Sequence, residues 1–155
     1  MEIPPPTDQH KWLQQLVGHW TFEGGAGEFK SAGTEAVRAL GELWIIAEGE
    51  AAEPDGPAGL MRMTVGFDPA KDKFVGSWVG SMMHNQWVYE GELDATGKIL
   101  TLNSTGQSWE DETQTANYAD VIELVDADHR ILHGTMQKAD GEWVEFCTTR
   151  YTRVR

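Results

Sequence analysis

From Val17 onward the apolar residues recur with a period of two, broken by turn-forming residues at short and rather even spacing. Successive side chains of a strand point to opposite faces, so this pattern makes each segment a half-buried strand. A run of such short strands makes the chain an all-β sandwich or barrel. Candidate strands span 17–24, 33–40, 42–50, 59–68, 73–83, 86–93, 98–105, 117–126, 129–138 and 142–152. Glu53-Pro54-Asp55-Gly56-Pro57 and the stretch 106–116 read as loops too short to link domains, and there is no internal repeat. Gly24-Gly25-Ala26-Gly27 follows no strand-to-helix pattern and reads as a turn, not a phosphate cradle. Ahead of the strands, Thr7 is a candidate N-cap for a short helix over 8–16. Trp12, Leu13, Leu16 and Val17 share one face of it, and Gly18 is able to end it in the left-handed region.

Two turns predict which residues share a face in the middle of the chain. A loop over Asp68-Pro69-Ala70-Lys71-Asp72-Lys73 sets Phe67 opposite Phe74, Val65 opposite Gly76, Met63 opposite Trp78 and Met61 opposite Gly80. A two-residue His84-Asn85 turn sets Met82 opposite Trp87, Gly80 opposite Tyr89 and Trp78 opposite Gly91. Both place Met61, Met63, Val65, Phe67, Phe74, Trp78, Met82, Trp87, Tyr89 and Leu93 on one side, and Arg62, Thr64, Ser77, Ser81, Glu90 and Glu92 on the other. So large an apolar face belongs inside, because exposed it would exceed the few hundred Å² normal for a monomer. Gly76, Gly80 and Gly91 alternate with the bulky residues on that face. Such alternation suits a tapering barrel interior and is expected to leave empty volume.

The 155 residues are expected to form one domain, 1–155. A formal net charge of −13 without a Lys/Arg cluster argues against nucleic acid and anionic membranes as partners. Cys147 is the only cysteine, so no intramolecular disulfide forms, and a reducing compartment fits. Met1-Glu2-Ile3-Pro4-Pro5-Pro6 has neither a basic start nor an apolar stretch, and no run approaches a membrane span. A cytoplasmic location is the expectation.

Leu16-Val17-Gly18-His19-Trp20 at the first strand, with Arg150 and Arg153 in the last, resembles the calycins, the lipocalin and fatty-acid-binding-protein superfamily. There a Gly-x-Trp packs at the closed end of the barrel against an Arg of the final strand, which implies structural roles for Gly18, Trp20, Arg150 and Arg153. A longer set of segments is similar to bacterial domain-of-unknown-function family 1579 over nearly the whole chain. These are 41–49, Gly66-Phe67-Asp68-Pro69, 76–83, 87–94 and Thr149-Arg150-Tyr151-Thr152-Arg153. The resemblance implies a closed antiparallel calycin-like β-barrel of about ten strands with a short N-terminal helix. It implies no reaction, ligand or catalytic residue.

The leading functional expectation is non-covalent binding of a hydrophobic or aromatic small molecule in the lumen, lined by Met61, Met63, Trp78, Met82, Trp87 and Tyr89. The alternative to a cavity is a core that these side chains simply fill, in a chain acting as a structural homodimer through outer residues such as Val75, Val79 and Val88. A small enzyme would use Arg62 and Glu90, which both oppose Val79 in the expected pairing, but only if that polar face lined a cleft. His10, His19, His84, His129 and His133 show no paired metal spacing, so no metal and no cofactor are expected. Some calycin-like barrels bind haem through one histidine near the chain end. His133, inside a late strand, is the candidate for that alternative, with Met61, Met63 and Met82 lining the pocket. Cys147 lacks an identifiable base partner and reads as a small strand hydrophobe.

Overall fold

The computed structural model describes residues 1–53 and 55–155, and of Phe29 the backbone; Pro54, in the loop expected at 53–57, lies outside the described residues. One helix, α1 (Asp8–Gln14), precedes ten strands: β1 (Gly18–Ala26), β2 (Phe29–Leu40), β3 (Trp44–Ala51), β4 (Gly59–Asp68), β5 (Lys73–Gly80), β6 (Trp87–Leu93), β7 (Ile99–Gln107), β8 (Thr115–Asp126), β9 (His129–Gln137) and β10 (Trp143–Arg153). Each strand pairs antiparallel with its neighbours in sequence, and β1 also pairs with β10, which closes the barrel. Closure leaves no unpaired edge to recruit another chain. No helix among the described residues is long and apolar enough to cross a membrane.

α1 covers one end of the barrel. Thr7 caps it: its side chain accepts from the His10 backbone N–H, while the His10 ring receives the Thr7 backbone N–H at 2.9 Å. The helix then docks through side chains. The other His10 ring nitrogen bonds the Phe67 carbonyl at 2.9 Å, and Trp12 donates its indole N–H to the Gly97 carbonyl at 2.6 Å. Leu13 and Leu16 bury against Trp20, Val37, Ile45, Val65, Phe67, Phe74, Leu100 and Leu102. Each such leucine contributes about 1.5–3 kcal/mol by leaving water. This end is therefore solidly packed, and the hairpin turns around 26–29, 80–87 and 137–143 gather at the other end.

The β4–β5 register is the expected one, with Met61 opposite Gly80, Met63 opposite Trp78 and Phe67 opposite Phe74. The β5–β6 register is not. Trp78 faces Trp87 and Gly76 faces Tyr89, four residues from the expected pairing. Among the described non-glycine residues only Asp72 has positive φ, so His84-Asn85 does not form the tight turn that would have continued the ladder. Instead β5 stops at Gly80, and Ser81 bonds back to Leu60 of β4, its N–H reaching the Leu60 carbonyl at 2.8 Å. A displacement of four is even, so every side chain keeps its face. Met82 alone leaves the set: it lies in the 81–86 loop, exposed at the rim, rather than in a strand.

The inward glycines also serve a purpose other than the expected one. A Cβ on Gly76 would lie 2.1 Å from the Thr64 backbone oxygen, and one on Gly91 2.1 Å from that of Thr101. At Gly80 it would strike the Trp78 ring and the Met82 sulfur. Gly76 and Gly91 hold close backbone approaches, as glycine kinks do in small barrels, and Gly80 makes way for neighbouring side chains, rather than leaving space for a guest. Two smaller corrections concern the N-terminal region. The helix ends at Gln14, and Gly18, with φ of 144°, opens β1 instead of closing a helix. Gly24-Gly25-Ala26 belong to β1, and the turn is Gly27-Glu28.

Candidate functional site

The lumen wall towards the open end is built from β4, β5 and β6. Met61, Met63, Trp78 and Trp87 stand on the inward face, since their register partners lead stepwise to the buried Ala47 and Val65 face of the sheet. Inward residues at the α1 end are fully buried, whereas these four are only half-buried. An inward side chain that still meets solvent borders water-accessible space inside the barrel. Tyr89 lies deeper and is fully buried.

Polar groups collect below this apolar wall. Asp120 of β8 pairs with the buried Leu102 on one side and Gly134 on the other, so its carboxylate points inward, where the Tyr89 hydroxyl donates to it. Burial pushes the Asp120 carboxyl above the ordinary carboxylate range, partly offset by the Tyr89 hydrogen bond. Burial, then the Asp120 charge, raises the Tyr89 hydroxyl, which therefore remains a donor. Nearby, Arg130 of β9 forms a buried ion pair with Glu35 of β2. Its guanidinium lies 3.8 Å from the Tyr151 ring centroid and 4.6 Å from that of Trp20. Burial, followed by the Glu35 charge, raises the Tyr151 hydroxyl too.

The closed-end motif forms with one of its two expected arginines. Arg153 stacks on Trp20 at 4.3 Å and donates to the carbonyls of Val17, Gln15 and Ala127 at 2.7, 2.8 and 3.0 Å. Gly18 has a φ of 144°, which side chains rarely adopt, and a Cβ there would also lie 2.5 Å from the same guanidinium. Arg150 instead points outward and is exposed beside Glu23; alternation along β10 puts Thr149, Tyr151 and Arg153 on the inner face. Arg130 takes the second stacking place on Trp20.

An aromatic cluster stands at the open end. Trp109, in the β7–β8 loop, packs edge-on against Phe146 at 4.2 Å, and Tyr118 packs against Trp87 at 4.9 Å, with Trp109 and Tyr118 6.1 Å apart. A groove of about 660 Å³ runs along β1 to β4 past His19, Thr34, Glu48, Glu50 and Leu60, and its lining also takes in Trp20, Glu35 and Met61.

The remaining candidates lie outside the lumen. Arg62 and Glu90 are exposed, and the changed register sets Glu90 opposite Val75 instead of Val79, with Lys71 at 3.3 Å, so no Arg62–Glu90 cleft exists. His133 alternates with the inward Leu132 and Gly134 and so faces outward, bonded to Glu145 at 2.7 Å and Glu123 at 3.0 Å. It cannot ligate an iron inside the barrel. Cys147 faces inward, half-buried, with its sulfur 3.7 Å from the Thr149 hydroxyl oxygen. Glu35, Asp120, Arg130 and Tyr151 were not singled out as lumen residues from sequence. The signal for Asp120 was present, however: it shares the parity of Tyr118 and Ile122 and is an acid on an apolar face.

A family model described as "Protein of unknown function (DUF1579)" matches residues 5–153. No curated protein matches the chain. Among solved structures, Rv2717c from M. tuberculosis aligns with a TM-score of 0.67 at 12% identity, covering 97% of this chain and 100% of that one. The S-type phycobiliprotein lyase CPES from Guillardia theta aligns with 0.61 at 12% identity, covering 94% and 92%. A barrel described as EF1p2_mFAP2b bound to DFHBI aligns with 0.53 at 10% identity, covering 94% and 99%. At these identities the likeness shows the barrel fold alone.

Proposed function

The chain belongs to the DUF1579 family of proteins of unknown function, and from that starting point we propose that it binds a hydrophobic or aromatic small molecule non-covalently in the barrel lumen. The observation that carries this reading is the inward but half-buried placement of Met61, Met63, Trp78 and Trp87. Thioethers and indoles offer polarizable, adaptable contacts, and water resting on them is released when an apolar guest arrives. Packing at the α1 end closes the barrel floor, so a guest enters from the open end, past the Trp109–Phe146 cluster. A structural neighbour described as bound to DFHBI, and another described as a phycobiliprotein lyase, are compatible with this architecture holding such molecules.

The test is titration with apolar fluorophores while following tryptophan emission, together with native mass spectrometry of protein purified from its own host. Saturable quenching or a blue shift that is weakened in Trp78→Ala is the expected result. No saturable change with any probe, and no co-purifying mass, would overturn the reading.

A further inference from the structure

Resting on the lumen-binding reading, we propose that Asp120 is the polar anchor of the cavity and selects guests whose buried end carries an N–H donor, such as an arylamine or an N–H heterocycle.

The polar side chains on the inner face are not equally available. Glu35 and Arg130 form a buried ion pair, and the guanidinium is stacked against the rings of Trp20 and Tyr151, with its Nε left without a hydrogen-bond partner. This pair is electrically neutral. Asp120 is different. Burial raises the Asp120 carboxyl, so the selection operates above that elevated value, where the carboxylate accepts about four hydrogen bonds and donates none, the hydroxyl of Tyr89 filling one of those places. Asp120 is only partly buried although it sits mid-strand on the inner face, which places it at the border of internal space. Its partner across the β8–β9 ladder is Gly134, which has no side chain to cover it.

The inner face thus presents an apolar, aromatic wall and one anionic group with acceptor capacity left over. A guest with a donor end completes that carboxylate. A guest ending in an ether oxygen leaves it unpaired, and a guest carboxylate meets a like charge there.

Two probes of the same shape separate this inference from the reading beneath it: N-phenylnaphthylamine, with an N–H, and phenoxynaphthalene, with an ether oxygen in its place. The wild-type protein is expected to prefer the amine by roughly tenfold, the value of one hydrogen bond to a charged group. In Asp120→Leu the preference is expected to vanish while phenoxynaphthalene still binds. Asp120→Asn, which retains an acceptor for Tyr89, is expected to lose part of it. Equal binding of the two probes to the wild type, or a preference unchanged in Asp120→Leu, overturns the anchor and leaves lumen binding standing. Failure of both probes to bind overturns lumen binding and the anchor with it. Because the wild-type comparison needs no variant, it decides even if a substitution prevents folding.

Discussion

His133 shows how a residue can matter without entering the lumen. Burial opposes its charging, but hydrogen bonds to Glu145 and Glu123, and their charges, outweigh burial and raise its pKa above the ordinary 6.5. A raised folded value means that the ion pairs stabilise the protein fully below about pH 6.5 and lose their effect as pH climbs through the elevated value. Urea unfolding of the wild type should therefore show stability falling as pH climbs from about 6.5 through the raised value, with the fall much reduced in His133→Ala. The same pH profile in both proteins would refute the assignment. Gly76 makes a second prediction at this scale. A methyl group there has the Thr64 backbone oxygen 2.1 Å away and nothing flexible to displace. Gly76→Ala should destabilise by about 1–3 kcal/mol in denaturant titrations. Gly56→Ala, where nothing lies within 4 Å, should stay within about 0.5 kcal/mol of wild type.

Elements are joined in this molecule by a few side chains that cross between them. Arg153 is the clearest, tying β10 to the α1–β1 connection through the Gln15 and Val17 carbonyls and to the β8–β9 turn through Ala127, while its guanidinium covers Trp20. Removing it takes the donor from three backbone carbonyls, that of Val17 part-buried, and leaves an indole without its cation. Arg153→Ala is expected to cost about 2–4 kcal/mol. Arg153→Lys should recover only part of this, because an ammonium does not reproduce the planar fork. Calorimetry of the two variants checks the order. The β5–β6 hairpin illustrates the opposite case, an element joined by local turn chemistry that did not form. His84 and Asn85 tolerate positive φ without requiring it, and bonding of Ser81 to Leu60 ends β5 early. The inner face survived because the displacement was even.

At the scale of the whole molecule, closure between β1 and β10 makes every strand interior to the sheet, and α1 shares the core with the strands it covers. A closed wall around one core has no part that opens at low cost. Far-UV circular dichroism and tryptophan emission should therefore report the same unfolding midpoint. Two separated transitions would mean that α1 or the open end melts by itself. The formal charge of −13 lies on a surface where exposed pairs such as Lys71–Glu90 and Lys73–Glu92 add little stability individually.

Which segments are strands, and which face of each is apolar, was determined by the sequence itself, because the two-residue alternation is a local property written into every segment. All ten strands and the inward placement of Met61, Met63, Trp78, Trp87 and Tyr89 follow from it. The tertiary structure alone decided what those faces enclose. Glu35 and Arg130 are 95 residues apart and meet only when the barrel closes. Asp120 finds Tyr89 over the intervening β7, and Arg153 rather than Arg150 reaches Trp20. Such pairings depend on register and curvature summed around the wall, which no single segment encodes.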